Sequence, residues 1–136
     1  RLAAGVIRFE QVGKLLPAKV RRLPYEKARI ADGVVQGNIP ILDIQYGNIW
    51  TNVSRATLFE LSPQPLDLLW VEISHAGKTV FKRRIPFVNT FGQVAVGQPV
   101  IYINDLLNAA LALNQGDFAA VHDIDSGPDW NIRFYR

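Results

Sequence analysis

From Gly33 onward the apolar residues fall in short runs of β-forming type, punctuated by Gly, Pro, Asn and Asp. The runs predict strands over 34–44, 48–53, 66–75, 79–84, 98–103, 109–113 and 131–135. Seven short strands with little helix between them define an all-β domain, built as a sandwich or a closed barrel. The clearest hairpin is Leu68–His75, then Ala76-Gly77-Lys78, then Thr79 onward, with Gly77 free to adopt a positive φ in the turn. One helix is predicted from Ser54 to Leu61, with Ser54 as its N-cap and Pro63 as its stop. Trp70, Phe81, Phe87 and Val100 lie in apolar strands and are expected in the core.

The first 32 residues differ. Residues 1–16 are short, apolar and interrupted by Gly5 and Gly13, resembling the tail of a helix followed by a turn. Residues 17–32 carry Pro17, Pro24 and many charges, which predicts an extended connector, because proline removes an amide donor and holds the residue before it out of helix. A domain boundary is therefore expected near Asp32-Gly33. The chain begins at Arg1 and contains no methionine, which gives the expectation of a piece of something longer.

A length of 136 residues allows one domain with a real core, and 49% hydrophobic with 20% charged residues fits a soluble globular chain. No run approaches the roughly 18 apolar residues of a membrane span, and the N-terminus lacks the order of a signal peptide. With no cysteine, disulfides, thiol nucleophiles and thiolate metal sites are excluded, and a cytoplasmic setting is expected. The net charge of +3 comes partly from Lys14, Lys19, Arg21, Arg22, Lys27 and Arg29, with a second cluster at Lys82, Arg83 and Arg84. Such clusters either meet phosphate or an acidic partner, or form a solvated linker and a solvated strand end.

Four segments place polar or aromatic residues where a strand needs none. They are Asp43-Ile-Gln-Tyr46-Gly-Asn48-Ile-Trp50-Thr-Asn52, Asn89-Thr90-Phe91-Gly92, Tyr102-Ile-Asn104-Asp105 and Leu113-Asn114-Gln115-Gly116-Asp117-Phe118. Rings stack on flat heterocycles and carboxamides donate and accept at once, a combination suited to a nucleobase. Each segment also has turn chemistry, which is its plainer explanation. Catalytic groupings are sparse: His75 and His122 are far apart in sequence, and no phosphate loop or nucleophile elbow is present. No metal site is expected.

Taken together, the four blocks resemble the C-terminal domain of the S-adenosylmethionine (SAM) hydroxide adenosyltransferases, the family that also includes the SAM-dependent chlorinases and fluorinases. The resemblance runs over about residues 33–125, while residues 1–32 are similar to the end of that family's N-terminal domain and its interdomain link. It implies a β-barrel-like domain supplying the adenine and methionine side of a SAM pocket, completed by the N-terminal domain of a neighbouring subunit, commonly in a trimer. The implied reaction displaces methionine from the ribose 5′ carbon by hydroxide or halide, with SAM as substrate and no separate cofactor. The nucleophile-handling residues belong to the other domain, so no catalytic residue is expected on this chain.

Carried over by position, Tyr46 and Phe91 match the rings that sandwich adenine. Asn48 matches the side chain bonded to its edge, and Gln115 the residue whose backbone reads it. Asp43 matches the carboxylate that meets the methionine ammonium, a favourable pairing for a partly buried cation. Asn104 and Asp105 match an Asn-Ser pair, and Asp105 departs from it by adding a carboxylate near that of the substrate. Leu106 and Leu113 stand where the halogenases carry arginine, and Asn114-Gln115-Gly116 is similar to the hydrolase version, so hydrolysis to adenosine and methionine is the reading. Leu106-Leu107 also replaces a small or glycine-containing turn, and another adenosyl ligand is an alternative. A halogenase half, a β-barrel binder of single-stranded nucleic acid using Tyr46, Trp50, Phe91 and Tyr102, and an oligomerisation module are the other readings. Trp50 is placed as packing beneath the surface.

Overall fold

The computed structural model describes residues 1–20, 22 and 25–136, so Arg21 of the first basic cluster and Pro24 of the connector lie outside the described residues. Among the described residues, nine strands form two antiparallel sheets. They are β1 (Arg29–Ala31), β2 (Val34–Ile39), β3 (Ile41–Asp43), β4 (Asn48–Ser54), β5 (Leu68–His75), β6 (Lys78–Pro86), β7 (Pro99–Ile103), β8 (Asn108–Leu113) and β9 (Gly127–Tyr135). One sheet has the order β1-β2-β9-β5-β6 and the other β3-β4-β8-β7. The class is all-β as expected, but the two sheets remain open rather than closing into a barrel.

The sheets pack through alternate residues of their strands. Leu69, Val71 and Ile73 of β5, Ile132 and Phe134 of β9, Ile49 and Val53 of β4 and Leu111 of β8 are fully buried in one core. Prolines sit where the chain passes between sheets: Pro40 separates β2 from β3, and Pro86 ends β6 just before Phe87 bridges to Ile101. The long predicted run 34–44 is therefore two strands in different sheets, since proline cannot donate to a continuing ladder. Phe87 and Val100 are buried as expected. Trp70 instead alternates onto the outer face of β5, where it stacks on Tyr135 at 6.2 Å beneath the Lys82 ammonium, and Phe81 is only partly buried.

Helix α1 (Arg55–Phe59) begins where expected, the Ser54 hydroxyl accepting the Thr57 amide at 3.1 Å. A second helix, α2 (Phe118–His122), follows Asp117, whose carboxylate accepts the Ala120 amide at 2.8 Å. The first 16 residues form no α-helix; they make turns and one 3₁₀ turn over Phe9–Gln11, with Val6, Phe9, Val12, Leu15 and Leu16 exposed. A segment this short, with nothing to pack against, does not recover the cost of helix nucleation. The end of the connector is strand β1, paired with β2 through a turn in which Asp32 and Gly33 both have positive φ.

The β5–β6 turn has two residues, Ala76 and Gly77, with φ of +47° and +79°, the geometry of a primed hairpin turn. Ala76 carries a Cβ in the left-handed region, so Ala76→Asn should raise the melting midpoint by a few degrees, about 0.5–1 kcal/mol. His122 packs against Phe81 and Phe118, with ring centroids 4.8 and 4.6 Å away. Burial, assisted by the Arg83 guanidinium, holds its pKa below the ordinary value. In that window the unfolded chain binds more protons than the folded one, so stability should fall as pH drops through about 6.5 and level off below the folded pKa. Urea unfolding at pH 7.5 and 5.5 measures this, and His122→Gln should remove that component.

Candidate functional site

Strand β4 alternates between two environments. Ile49, Thr51 and Val53 are buried, while Asn48, Trp50 and Asn52 face the other way. On β8, Ala110 pairs with both Trp50 of β4 and Tyr102 of β7, making a cross-strand row of ring, methyl and ring. Ala110 is fully buried at the centre of this row, and Trp50 and Tyr102 reach the surface on either side. Around it opens a cleft of about 820 Å³, and all seven residues marked from the sequence line it: Asp43, Tyr46, Asn48, Phe91, Asn104, Asp105 and Gln115.

Each is placed by a local device. Asp43 and Asn48 are paired across the β3–β4 hairpin, and the Asp43 carbonyl accepts the amides of Tyr46 (3.1 Å) and Gly47 (2.8 Å). This tight loop projects Tyr46, which is 61% exposed, while Asn48 is buried and donates from Nδ2 to Asp43 Oδ2 at 3.3 Å. Gly47 takes φ +67°, and a Cβ there would overlap the Asp117 carboxylate. Phe91 opens a 3₁₀ turn whose preceding amides, of Asn89 and Thr90, donate to Gln93 Oε1, and its ring meets Tyr102 edge-on at 5.1 Å. Asn114 fastens this loop to β8, donating from Nδ2 to the Val94 carbonyl at 2.9 Å. Gln115 sits at φ +58° in the turn after β8.

Asn104 ends β7. Its Oδ1 accepts the amides of Leu106 (3.1 Å) and Asn108 (3.0 Å), which fixes the amide orientation and leaves Nδ2 buried with no partner. The Trp50 indole N–H is a second buried donor without a hydrogen bond of acceptable geometry, although it lies near enough to the Tyr102 hydroxyl to favour its ionised form. Native interiors leave few such donors, and two of them here belong to residues that line one cleft.

The cleft is acidic. Asp43, Asp105 and Asp117 line it, and among the described residues no lysine or arginine does. The Tyr102 hydroxyl is pushed above its usual pKa by burial and by the carboxylates of Asp43 and Asp105, against the opposing pull of the donors on Trp50 and Asn48. Of the two leucines compared with halogenase arginines, Leu113 lines the cleft and Leu106 lies 63% exposed beside it.

The basic clusters are elsewhere. Lys82, Arg83 and Arg84 lie on β6, an edge of the other sheet, where charge discourages pairing with another chain. Lys82 is also paired with Glu72 at 3.3 Å. Lys14, Lys19, Arg22, Lys27 and Arg29 are exposed along the first 29 residues. His75 stacks on Trp130 at 4.3 Å, whereas His122 packs against Phe81 and Phe118. Trp50, Tyr102, Asn114 and Asp117 line the cleft in addition to the seven marked residues. Trp50, expected as packing beneath the surface, instead lines the cleft, since it is two residues from Asn48 and therefore on the same face.

Residues 37–131 match the SAM hydroxide adenosyltransferase C-terminal domain. The chain belongs to this family. The span of this adenosyltransferase-family domain includes all seven marked residues. The chain is 32% identical to a fluorinase of an Actinoplanes species over 129 residues, covering 93% of this chain and 42% of that protein. It is 30% identical to a fluorinase of Actinopolyspora mzabensis with the same coverages. The chain thus spans under half the length of these relatives. An uncharacterized conserved protein from Thermotoga maritima shares the fold, with a TM-score of 0.73, 23% identity, and coverage of 97% of this chain and 47% of that one.

Proposed function

We propose that this domain is the adenosyl-binding half of an enzyme that hydrolyses SAM. The observation that carries the reading is the convergence of four sequence segments on one aromatic-walled cleft lined by carboxylates and free of lysine and arginine among its described residues. A cationic sulfonium with a flat base suits such a cleft, whereas a polyphosphate backbone needs lysines and arginines that here lie on other surfaces. Tyr46 and Phe91 hold adenine by stacking, Asn48 and the Gln115 backbone read its edge, and Asp43 meets the ammonium of the tail.

The chemistry asked of the whole enzyme is an in-line displacement. An oxygen from water bonds to the ribose 5′ carbon, the bond from that carbon to sulfur breaks with its electron pair going to sulfur, and a proton is released. Adenosine and methionine are the products. A sulfonium leaves readily, so alignment and desolvation of the nucleophile are the main tasks. This domain contributes alignment, and a neighbouring domain completes the site, in a trimer.

Hydrolysis rather than halogenation is favoured by Leu106 and Leu113, which offer no cation to hold a halide beside the cleft. The test is turnover of SAM by the full-length protein in the presence of chloride and fluoride. Adenosine is expected as the nucleoside product, and a 5′-halogenated nucleoside would overturn the hydrolytic reading. The isolated 136-residue chain should give no product. Asn48→Ala should weaken adenosine binding about tenfold, or about 1.4 kcal/mol, by leaving the adenine edge unpaired, as read by calorimetry.

A further inference from the structure

We propose that, within the adenosyl-binding reading on which this rests, the cleft of this domain holds an adenosyl sulfonium with an aminoalkyl tail more tightly than it holds SAM itself, and that Asp105 sets the difference. The cleft presents Asp43 and Asp105 from opposite strands of the small sheet, one closing the β3–β4 hairpin and the other following β7. Burial, with help from both carboxylates, raises the pKa of the Tyr102 hydroxyl, and Tyr102 lines the same cleft. Asp105 is exposed and, among the described residues, makes no hydrogen bond or ion pair, so its charge is not neutralised from within the chain. Asp117 adds a third negative group, with one oxygen committed to capping α2.

An amino-acid tail brings an ammonium and a carboxylate together. The ammonium is welcome here, but the carboxylate must then sit among these like charges in a lining whose side-chain donors, among the described residues, are all neutral. Neutral donors soften such repulsion without cancelling it. An alkylamine tail on the same sulfonium carries two positive charges and no negative one. It matches the lining charge for charge, and Asp105 becomes an attractive group in place of a repulsive one.

Chemical-shift titration of the ¹⁵N-labelled chain with adenosine, SAM and decarboxylated SAM at low ionic strength tests this. Adenosine, which lacks the charged tail, should bind wild type in a saturable manner. Decarboxylated SAM should bind wild type at least tenfold more tightly than SAM does, and Asp105→Asn and Asp105→Ser should narrow that gap to about threefold or less. Raising the salt to 0.5 M should shrink the wild-type gap as well, a readout independent of whether a variant folds. Equal or tighter binding of SAM by wild type would overturn the proposal while leaving adenosyl binding intact. A gap unchanged by both substitutions and by salt would overturn the electrostatic cause. Failure of all three compounds to bind would overturn the adenosyl reading itself.

Discussion

Gly47→Ala should destabilise the domain by about 2–4 kcal/mol and abolish ligand binding at the cleft. Gly47 is buried at the foot of the β3–β4 loop with φ +67°, a conformation that costs a residue with a Cβ roughly 1–2 kcal/mol. The new methyl would also overlap the Asp117 carboxylate. Asp117 must then withdraw from its cap on α2, at a further cost of about 0.5–2 kcal/mol. The Gly47 carbonyl also accepts the Ala119 amide at 3.0 Å, so the strain spreads to the loop that carries Gln115. Equilibrium urea unfolding measures the loss. A Gly47→Ala/Asp117→Gly double variant should recover part of it relative to the sum of the single changes, because the overlap is then gone. Additive effects would show that Asp117 is not what the methyl meets.

Asn104→Ala should cost about 2–3 kcal/mol, the loss of one side chain releasing two backbone amides at once. The Leu106 and Asn108 amides both end on Asn104 Oδ1, and the turn they define holds Leu107 at φ +58° with its carbonyl accepting the Arg55 amide at 2.8 Å. Losing Oδ1 therefore loosens the β7–β8 turn and the start of α1 together. Asn104→Asp separates the two roles of the side chain. It keeps an oxygen for both amides and should hold most of the stability, but it replaces the free Nδ2 donor with negative charge. Ligand binding should fall at least tenfold in a protein that melts near wild type. If Asn104→Asp binds as wild type does, the free donor plays no part in recognition.

How legible this was in the sequence depended on the range of the interaction. Turn chemistry and capping are local, so the Ala76-Gly77 hairpin and the Ser54 cap were readable from neighbouring residues. The same local rule had more to give at Asp32-Gly33, an Asp-Gly pair that forms a hairpin turn between β1 and β2. Helix α2 is not legible in the sequence, because five residues are too few for a helical period and Asp117 reads equally as a loop residue and as a cap. Barrel closure was not readable at all, since it depends on which edge strands meet, and β6 and β7 touch here through the Phe87 bridge rather than a full ladder. Trp70 faces outward because β5 alternates, and an apolar run alone does not say which parity is the inner one. The gathering of Asp43, Tyr46, Asn48, Phe91, Asn104, Asp105 and Gln115 at one cleft was expected from the family resemblance rather than from residue spacing, because it is set by cross-strand register.

The most direct measurement is an adenosine titration of the ¹⁵N-labelled chain followed by amide chemical shifts. Adenosine binding in the cleft should move resonances of residues 43–50, 90–93, 102–105 and 114–117 in a saturable manner and leave β1, β6 and the first 16 residues unchanged. Saturable shifts confined to the outer face of the five-stranded sheet, or no shifts at millimolar adenosine, would contradict the assignment of this cleft as an adenosyl site.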